Sequence, residues 1–193
     1  EHRPLVSDAS WALHGVPLEV MLALSNSLGK HSWMNIPHLA DDSYVRNFAQ
    51  VVRGGMDPAH RVYVEYSNEV WNFQFAQTRW ADAQALARWG KADVGTQFYA
   101  MRAAQIARMW SKMFQGAEGQ LVNVISSQTG WLGLEENILT APLVVAEGAP
   151  EPREAFDAYA VTGYFGGILG LEARRDLVTG WLDESLLRAN EAV

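Results

Sequence analysis

An asparagine and a glutamate stand together at positions 68 and 69, directly after the run "RVYVEYS" and just before a tryptophan at 71. A carboxyl group can pass a proton to a departing oxygen, and an amide can donate to one hydroxyl while accepting from another. Whether the pair can do so depends on where the chain holds it. The run alternates, with Val62, Val64 and Tyr66 on one side and Tyr63, Glu65 and Ser67 on the other, which predicts a strand. By the same alternation Glu69 falls on the side of Glu65, at the strand's C-terminal end, walled by Tyr66 and Trp71. Partial desolvation there favours the protonated carboxyl that a general acid needs. A second such pair, Asn190-Glu191, lies in a polar stretch with no strand before it and no aromatic after it, and is assigned no function.

The elements that must position Asn68 and Glu69 alternate between short β-like runs and longer helical ones. Residues 16–28 predict a helix with Val16, Val20, Ala23, Leu24 and Ser27 near one face, stopped by Gly29. "SWMNIPH" predicts a strand closed by Pro37. Asp41 or Asp42 then caps a helix over "DSYVRNFAQVV" that ends at Gly54-Gly55. Beyond the central strand come helices over about 74–90 and 95–114, a strand in "QLVNVISSQ" and a helix over about 134–147. A strand in "FDAYAVTGYFGG" and a helix over about 171–190 complete the pattern.

Repeated strand–helix units imply parallel strands, because each crossover takes a helix. The choice lies between an open doubly wound sheet and a (β/α)8 TIM barrel. No Gly-rich phosphate loop follows any strand, which weakens the nucleotide-binding version. Polar and aromatic residues instead gather at strand C-terminal ends: His38, Asn68, Glu69, Trp71, Ser126, Ser127, Gln128 and Tyr164. Barrel enzymes build their sites at that rim. The expected fold is α/β, a single domain over residues 1–193 that covers about half of a TIM barrel. An isolated parallel sheet of this size would leave two unpaired edges. The remainder is therefore expected from the parent polypeptide or a partner chain.

Composition narrows the partners. The 193 residues are 49% hydrophobic and 19% charged, enough for one sizeable core. A formal net charge of -7, with 15 scattered basic residues, argues against nucleic acid. Arg174-Arg175, beside Glu172 and Asp176, reads as a solvated helical face. No apolar run reaches the ~18 residues of a membrane helix and no basic-then-apolar leader opens the sequence. A soluble domain is expected, either mature or excised from something longer. The lack of cysteine excludes disulfides, thiolate metal sites and cysteine nucleophiles, and fits cytosol, periplasm and secretion alike. His2, His14, His31 and His60 show no metal-ligand spacing, and Asp41-Asp42 is better explained as a helix cap, so no metal or cofactor is expected. The 8 tryptophans are more informative, because large flat rings on an acidic domain are how sugar faces are bound.

"VYVEYSNEVWN" resembles the fourth strand of glycoside hydrolase clan A, the retaining (β/α)8 glycosidases. "WMNIPHLADDSYVRNFA" is similar to strand three and its helix in large bacterial cellulase-like proteins, some described as cellulose-binding. The resemblance covers most of the chain, and its sharp part is the strand-four motif. It implies that the four β-runs are strands three to six of the barrel. It also implies that Glu69 is the acid/base of a retaining hydrolysis of a polysaccharide or oligosaccharide, and that Asn68 binds the sugar 2-hydroxyl. A polysaccharide substrate points to a secreted, periplasmic or cell-surface setting.

Retention needs a second carboxylate about 5 Å from the first. Glu65 is not suited, since four residues along a strand span roughly 13 Å, and it reads as an internal carboxylate paired with an arginine. Glu135, Glu136 and Glu147 belong in or beside a helix, and Asp157 stands at the wrong end of its strand. In the clan the nucleophile ends strand seven, so it is expected outside this chain.

Around Glu69, Trp71 is the best aromatic subsite and Trp131, after the third run, a second sugar platform. His38 could touch a sugar or hold Glu69, and Gln128 could line the cleft. Tyr164 matches a tyrosine that in the clan hydrogen-bonds the nucleophile. Trp11, Trp33, Trp80, Trp89, Trp110 and Trp181 are expected to be packing. Two other readings stay open: a non-catalytic carbohydrate-binding domain on a barrel fold, and a scaffold in which Asn68-Glu69 only terminates a strand. Purified alone, the 193-residue chain is expected not to hydrolyse aryl glycosides. Robust turnover abolished by Glu69→Gln would overturn that expectation.

Overall fold

The computed structural model describes residues 4–12, 15–163 and 166–181. The chain divides into two compact units, residues 1–161 and 162–193.

In the first unit the order is α1 (Leu18–Leu28), β1 (Ser32–Ile36), α2 (Asp42–Gly55), β2 (Val62–Tyr66), α3 (Ala76–Trp89) and α4 (Gly95–Met113). It continues with β3 (Leu121–Ser127), α5 (Leu134–Leu139), α6 (Pro142–Ala146) and β4 (Ala158–Val161). The strands form one parallel sheet in the order β1-β2-β3-β4, with Asn35 beside Glu65, Glu65 beside Val124, and Val124 beside Ala158. The fold is thus α/β with a four-stranded parallel sheet, and β1 and β4 are its edges among the described residues.

Local chemistry accounts for most of the boundaries. Gly29 ends α1 in the left-handed region at φ 60 and Gly90 ends α3 at φ 63. The Asp41 carboxylate, rather than that of Asp42, caps α2 by accepting from the Tyr44 N–H at 2.7 Å. Asp42 instead receives Arg102 of α4 at 2.7 Å. Two sequence expectations fail. In α1 the buried residues are Leu18 and Leu22, while Val16 and Leu24 of the expected face are exposed, because the helix packs one notch around from the apolar pattern. The single helix expected over 134–147 is two short ones. Pro142 cannot continue a helical hydrogen-bond ladder, and the chain breaks at Ala141 with φ 42.

Helices cover one face of the sheet. Met34, Ile36, Val62, Val64 and Tyr66 pack in a single cluster with Val45, Ala49 and Val52 of α2 and with Tyr99, Ala103 and Ile106 of α4. Their strand neighbours Trp33, Asn35, Tyr63 and Glu65 point to the other face, as the alternating burial of β1 requires. Along α4, Ala100, Ala103, Ala104 and Ala107 are all buried, and these small side chains let the helix lie close to its neighbours.

In the second unit the described residues form short 3-10 turns at Gly167–Gly170 and Glu172–Arg174, then α7 (Arg175–Gly180). Arg175 pairs with Glu172 at 2.8 Å on an exposed face, as expected of Arg174-Arg175 and its acidic neighbours. The rest of the helix expected over 171–190, with Asn190-Glu191, lies outside the described residues. Among the described residues no helix is long and apolar enough to cross a membrane.

Gly95 opens α4 directly against α3. A β-carbon there would stand 2.7 Å from the Asp82 backbone nitrogen, closer than side chains pack. Overpacking of this kind costs about 1–3 kcal/mol, against at most about 1 kcal/mol gained by replacing a helical glycine with alanine. Gly95→Ala is therefore expected to lower the urea-unfolding free energy by about 1–2 kcal/mol. A neutral or stabilising result would contradict this close approach.

Candidate functional site

Residues 67–75, between β2 and α3, carry the Asn-Glu pair. The strand ends at Tyr66, and both Ser67 and Glu69 take left-handed backbone angles, φ 64 and φ 44. Strand alternation therefore stops at Ser67, and the orientation of Glu69 comes from this turn rather than from the pleat expected from the sequence. Such angles cost a residue with a β-carbon of order 1 kcal/mol or more and persist only where surroundings over-determine them.

The surroundings do so. The Ser67 N–H donates to the Ile36 carbonyl at 2.7 Å, and the Ser67 carbonyl accepts from the Asn35 amide at 2.9 Å. The Asn68 carbonyl accepts from Gln77 of α3 at 2.7 Å. The Asn72 N–H donates to the Glu69 carbonyl at 2.9 Å, closing a turn. Asn72 then meets the side chain, its amide Nδ2 donating to Glu69 Oε2 at 2.9 Å. The amide cannot turn freely, since its Oδ1 accepts the Gln74 N–H at 3.1 Å. Glu69 is partly exposed and Asn68 exposed, so both are reachable from solvent.

One strand turn back, Glu65 is 8% exposed and forms the hub of the non-helical face. Its Oε2 accepts from Trp33 Nε1 at 2.9 Å and from Asn35 Nδ2 at 3.1 Å, and its Oε1 accepts from the Ser126 hydroxyl. The expected arginine is replaced by neutral donors from the two flanking strands. A carboxylate so occupied is a structural group, as expected, and is not free to attack a carbon. Burial pushes the phenols of Tyr66 and Tyr99 far above their ordinary range, so neither exchanges protons near neutral pH.

Other sequence-selected residues divide sharply. Trp71, expected as the aromatic subsite, is 6% exposed and belongs to the hydrophobic core, as does Tyr66. The turn that presents Glu69 drives Val70 and Trp71 inward as its plug, so Trp71 is not available to stack on a ligand. His38 is half-buried with its ring edge-on to Trp80 at 5.5 Å, and its carbonyl accepts from the Tyr66 hydroxyl at 2.8 Å. Gln128 folds back on its own loop, accepting the Gly130 N–H. Trp131 is 44% exposed, on the loop that follows β3. Tyr164 lies outside the described residues. Glu135 opens α5, and Asp157 at the start of β4 accepts the Asn123 N–H at 2.8 Å, away from the rim. Glu147 ends α6 held by Arg88, whose guanidinium keeps its carboxyl below the usual range.

Four residues near the site carry roles that the sequence did not signal. Asn35 and Asn72 hold the turn, but a lone asparagine carries no signal until its neighbours are known. Phe73, 66% exposed, faces Trp131 with ring centroids 6.2 Å apart and a tilt of 33°. Trp33, expected as packing, is 50% exposed and stacks on Tyr63 at 5.5 Å. Among the described residues no group of three or more His, Asp or Glu is arranged to hold a metal ion.

Glu65→Met would leave the Trp33 and Asn35 donors unanswered and is expected to cost about 2–4 kcal/mol of unfolding free energy, whereas Glu65→Gln keeps an acceptor for them and should cost about 1 kcal/mol. Equal losses would show that the hydrogen bonds are not what holds this face together. Comparison of the chain with protein-family models, with curated proteins and with solved structures finds no match.

Proposed function

We propose that this chain is part of a (β/α)8 barrel glycoside hydrolase that cleaves a polysaccharide or oligosaccharide with retention, using Glu69 as general acid/base. The strand order supports the barrel. Consecutive strands are neighbours throughout and helices cover one face, whereas a doubly wound sheet reverses its order and takes helices on both faces. A cavity of about 280 Å³ runs beside the free edge of β1, lined by Leu18, Met21, Met34, Tyr44 and Phe48 among others, where a preceding strand would pack. On β4, Tyr159 and Val161 are 45% and 56% exposed on the face that elsewhere meets helices.

The observation that carries the assignment of Glu69 is its left-handed backbone, φ 44, at the C-terminal rim of the sheet. A strained residue held by a network and open to solvent is a common mark of a working group. In the proposed mechanism Glu69 protonates the leaving oxygen and later takes a proton from water. Asn72 fixes the carboxyl group by donating to Oε2. Asn68 orients a sugar hydroxyl. The nucleophile is a second carboxylate about 5 Å away, supplied by strands outside this chain from the same polypeptide or a partner. The reaction requires no cofactor, and a polysaccharide substrate fits a secreted, periplasmic or cell-surface enzyme.

With the completed barrel, Glu69→Gln is expected to lower kcat/KM for glycosides with poor leaving groups by about 10²–10⁴ while sparing those whose leaving group needs no proton. A loss independent of the leaving group would remove Glu69 from this role.

A further inference from the structure

Phe73 and Trp131 come from loops after neighbouring strands, and both are large apolar rings left open to water. No packing need explains a phenylalanine that is 66% exposed, while the adjacent Val70 and Trp71 are buried at 3% and 6%. The backbone that carries it is nonetheless tied down. The Phe73 carbonyl accepts from Arg79 at 3.3 Å, and the N–H groups of Gln74 and Phe75 donate to Asn72 at 3.1 Å and 3.0 Å. On the other loop the Trp131 N–H donates to the Gln128 carbonyl at 3.4 Å and its carbonyl accepts the Leu134 N–H at 3.3 Å. The two ring planes meet at 33° with their centroids 6.2 Å apart. The segment that presents Phe73 also presents the Glu69 carboxylate and the exposed Asn68 amide.

Flat rings carried on hydrogen-bonded loops beside polar groups match a ligand with one apolar face and a rim of hydroxyls. Resting on the function proposed above, we propose that Phe73 and Trp131 together form the stacking platform for a pyranose ring of the substrate chain, next to Glu69. The platform takes the sugar's C–H face, and its hydroxyl rim turns to Asn68 and Glu69. Rigidity of both loops limits the ordering entropy that binding would otherwise cost. The platform displaces Trp71 from the role its position in the sequence suggested.

The test is calorimetric titration of the 193-residue chain and its variants with cellohexaose, mannohexaose and xylohexaose, alongside sedimentation velocity. At least one hexaose should bind, with Phe73→Leu and Trp131→Ala each weakening it roughly tenfold and Phe73→Tyr holding within about threefold. Leucine keeps the apolar surface and loses the flat face, so it separates stacking from simple hydrophobic contact. Binding that both platform variants leave unchanged would overturn the platform while leaving carbohydrate recognition in place. The absence of binding to all three probes would overturn the platform and withdraw support from the functional reading as well. Self-association of the wild type that Phe73→Leu abolishes would make the pair a protein contact and overturn it too.

Discussion

A carboxylate placed on a sheet face next to Val124, which is 1% exposed, must be answered by donors or it would destabilise the fold. Glu65 is answered from both sides, by Trp33 and Asn35 on β1 and by Ser126 on β3. Those donors reach it only when the three strands run parallel in the observed register. The same Asn35 amide spends its other hydrogen on the Ser67 carbonyl. One side chain thus ties the buried hub to the point where β2 leaves the sheet. Everything downstream, including the left-handed turn and the placement of Glu69, starts from that tie.

The turn itself converts stability into geometry. Two residues with β-carbons occupy a region that ordinarily suits glycine, and the free energy this costs is offset by hydrogen bonds to β1 and α3 and by burial of Val70 and Trp71. A loop built this way has few alternatives, because releasing Glu69 would require pulling Trp71 from the core. Proton transfer and sugar orientation both need groups fixed to within a fraction of an ångström. The proposed acid/base, its amide neighbour and the aromatic pair all hang on this one segment and on the loop after β3.

Much of the architecture was legible from residue order. Pleat alternation marked β2, an apolar run closed by Pro37 marked β1, Gly29 and the Asp41-Asp42 pair marked helix ends, and the strand–helix rhythm implied parallel pairing. These signals are local: they come from neighbours within a few residues, and tertiary contact reinforces them. The errors arose where a local rule was carried past its reach. Alternation was extended from β2 through Ser67 to Glu69 although the strand had ended. Hydrophobicity alone points to one stripe of α1, whereas the buried stripe, Leu18 and Leu22, is set by which side meets α2. The helix over 134–147 ignored the single proline that breaks it.

The sequence by itself determined the class of fold, the order of its elements and the presence of an Asn-Glu pair at a strand's end, since each depends on backbone preferences and short-range periodicity. Only the tertiary structure decided which aromatic rings face water. Trp71 and Trp131 are the same residue type near two strand ends, and burial of one and exposure of the other follows from how each loop meets α3 and α5. It likewise decided that Glu65 is held by neutral donors and that Phe73 joins Trp131. Such partnerships join residues 30 to 61 positions apart, as in Asn35–Glu65 and Glu65–Ser126, and distance along the chain hides them until the sheet brings them together.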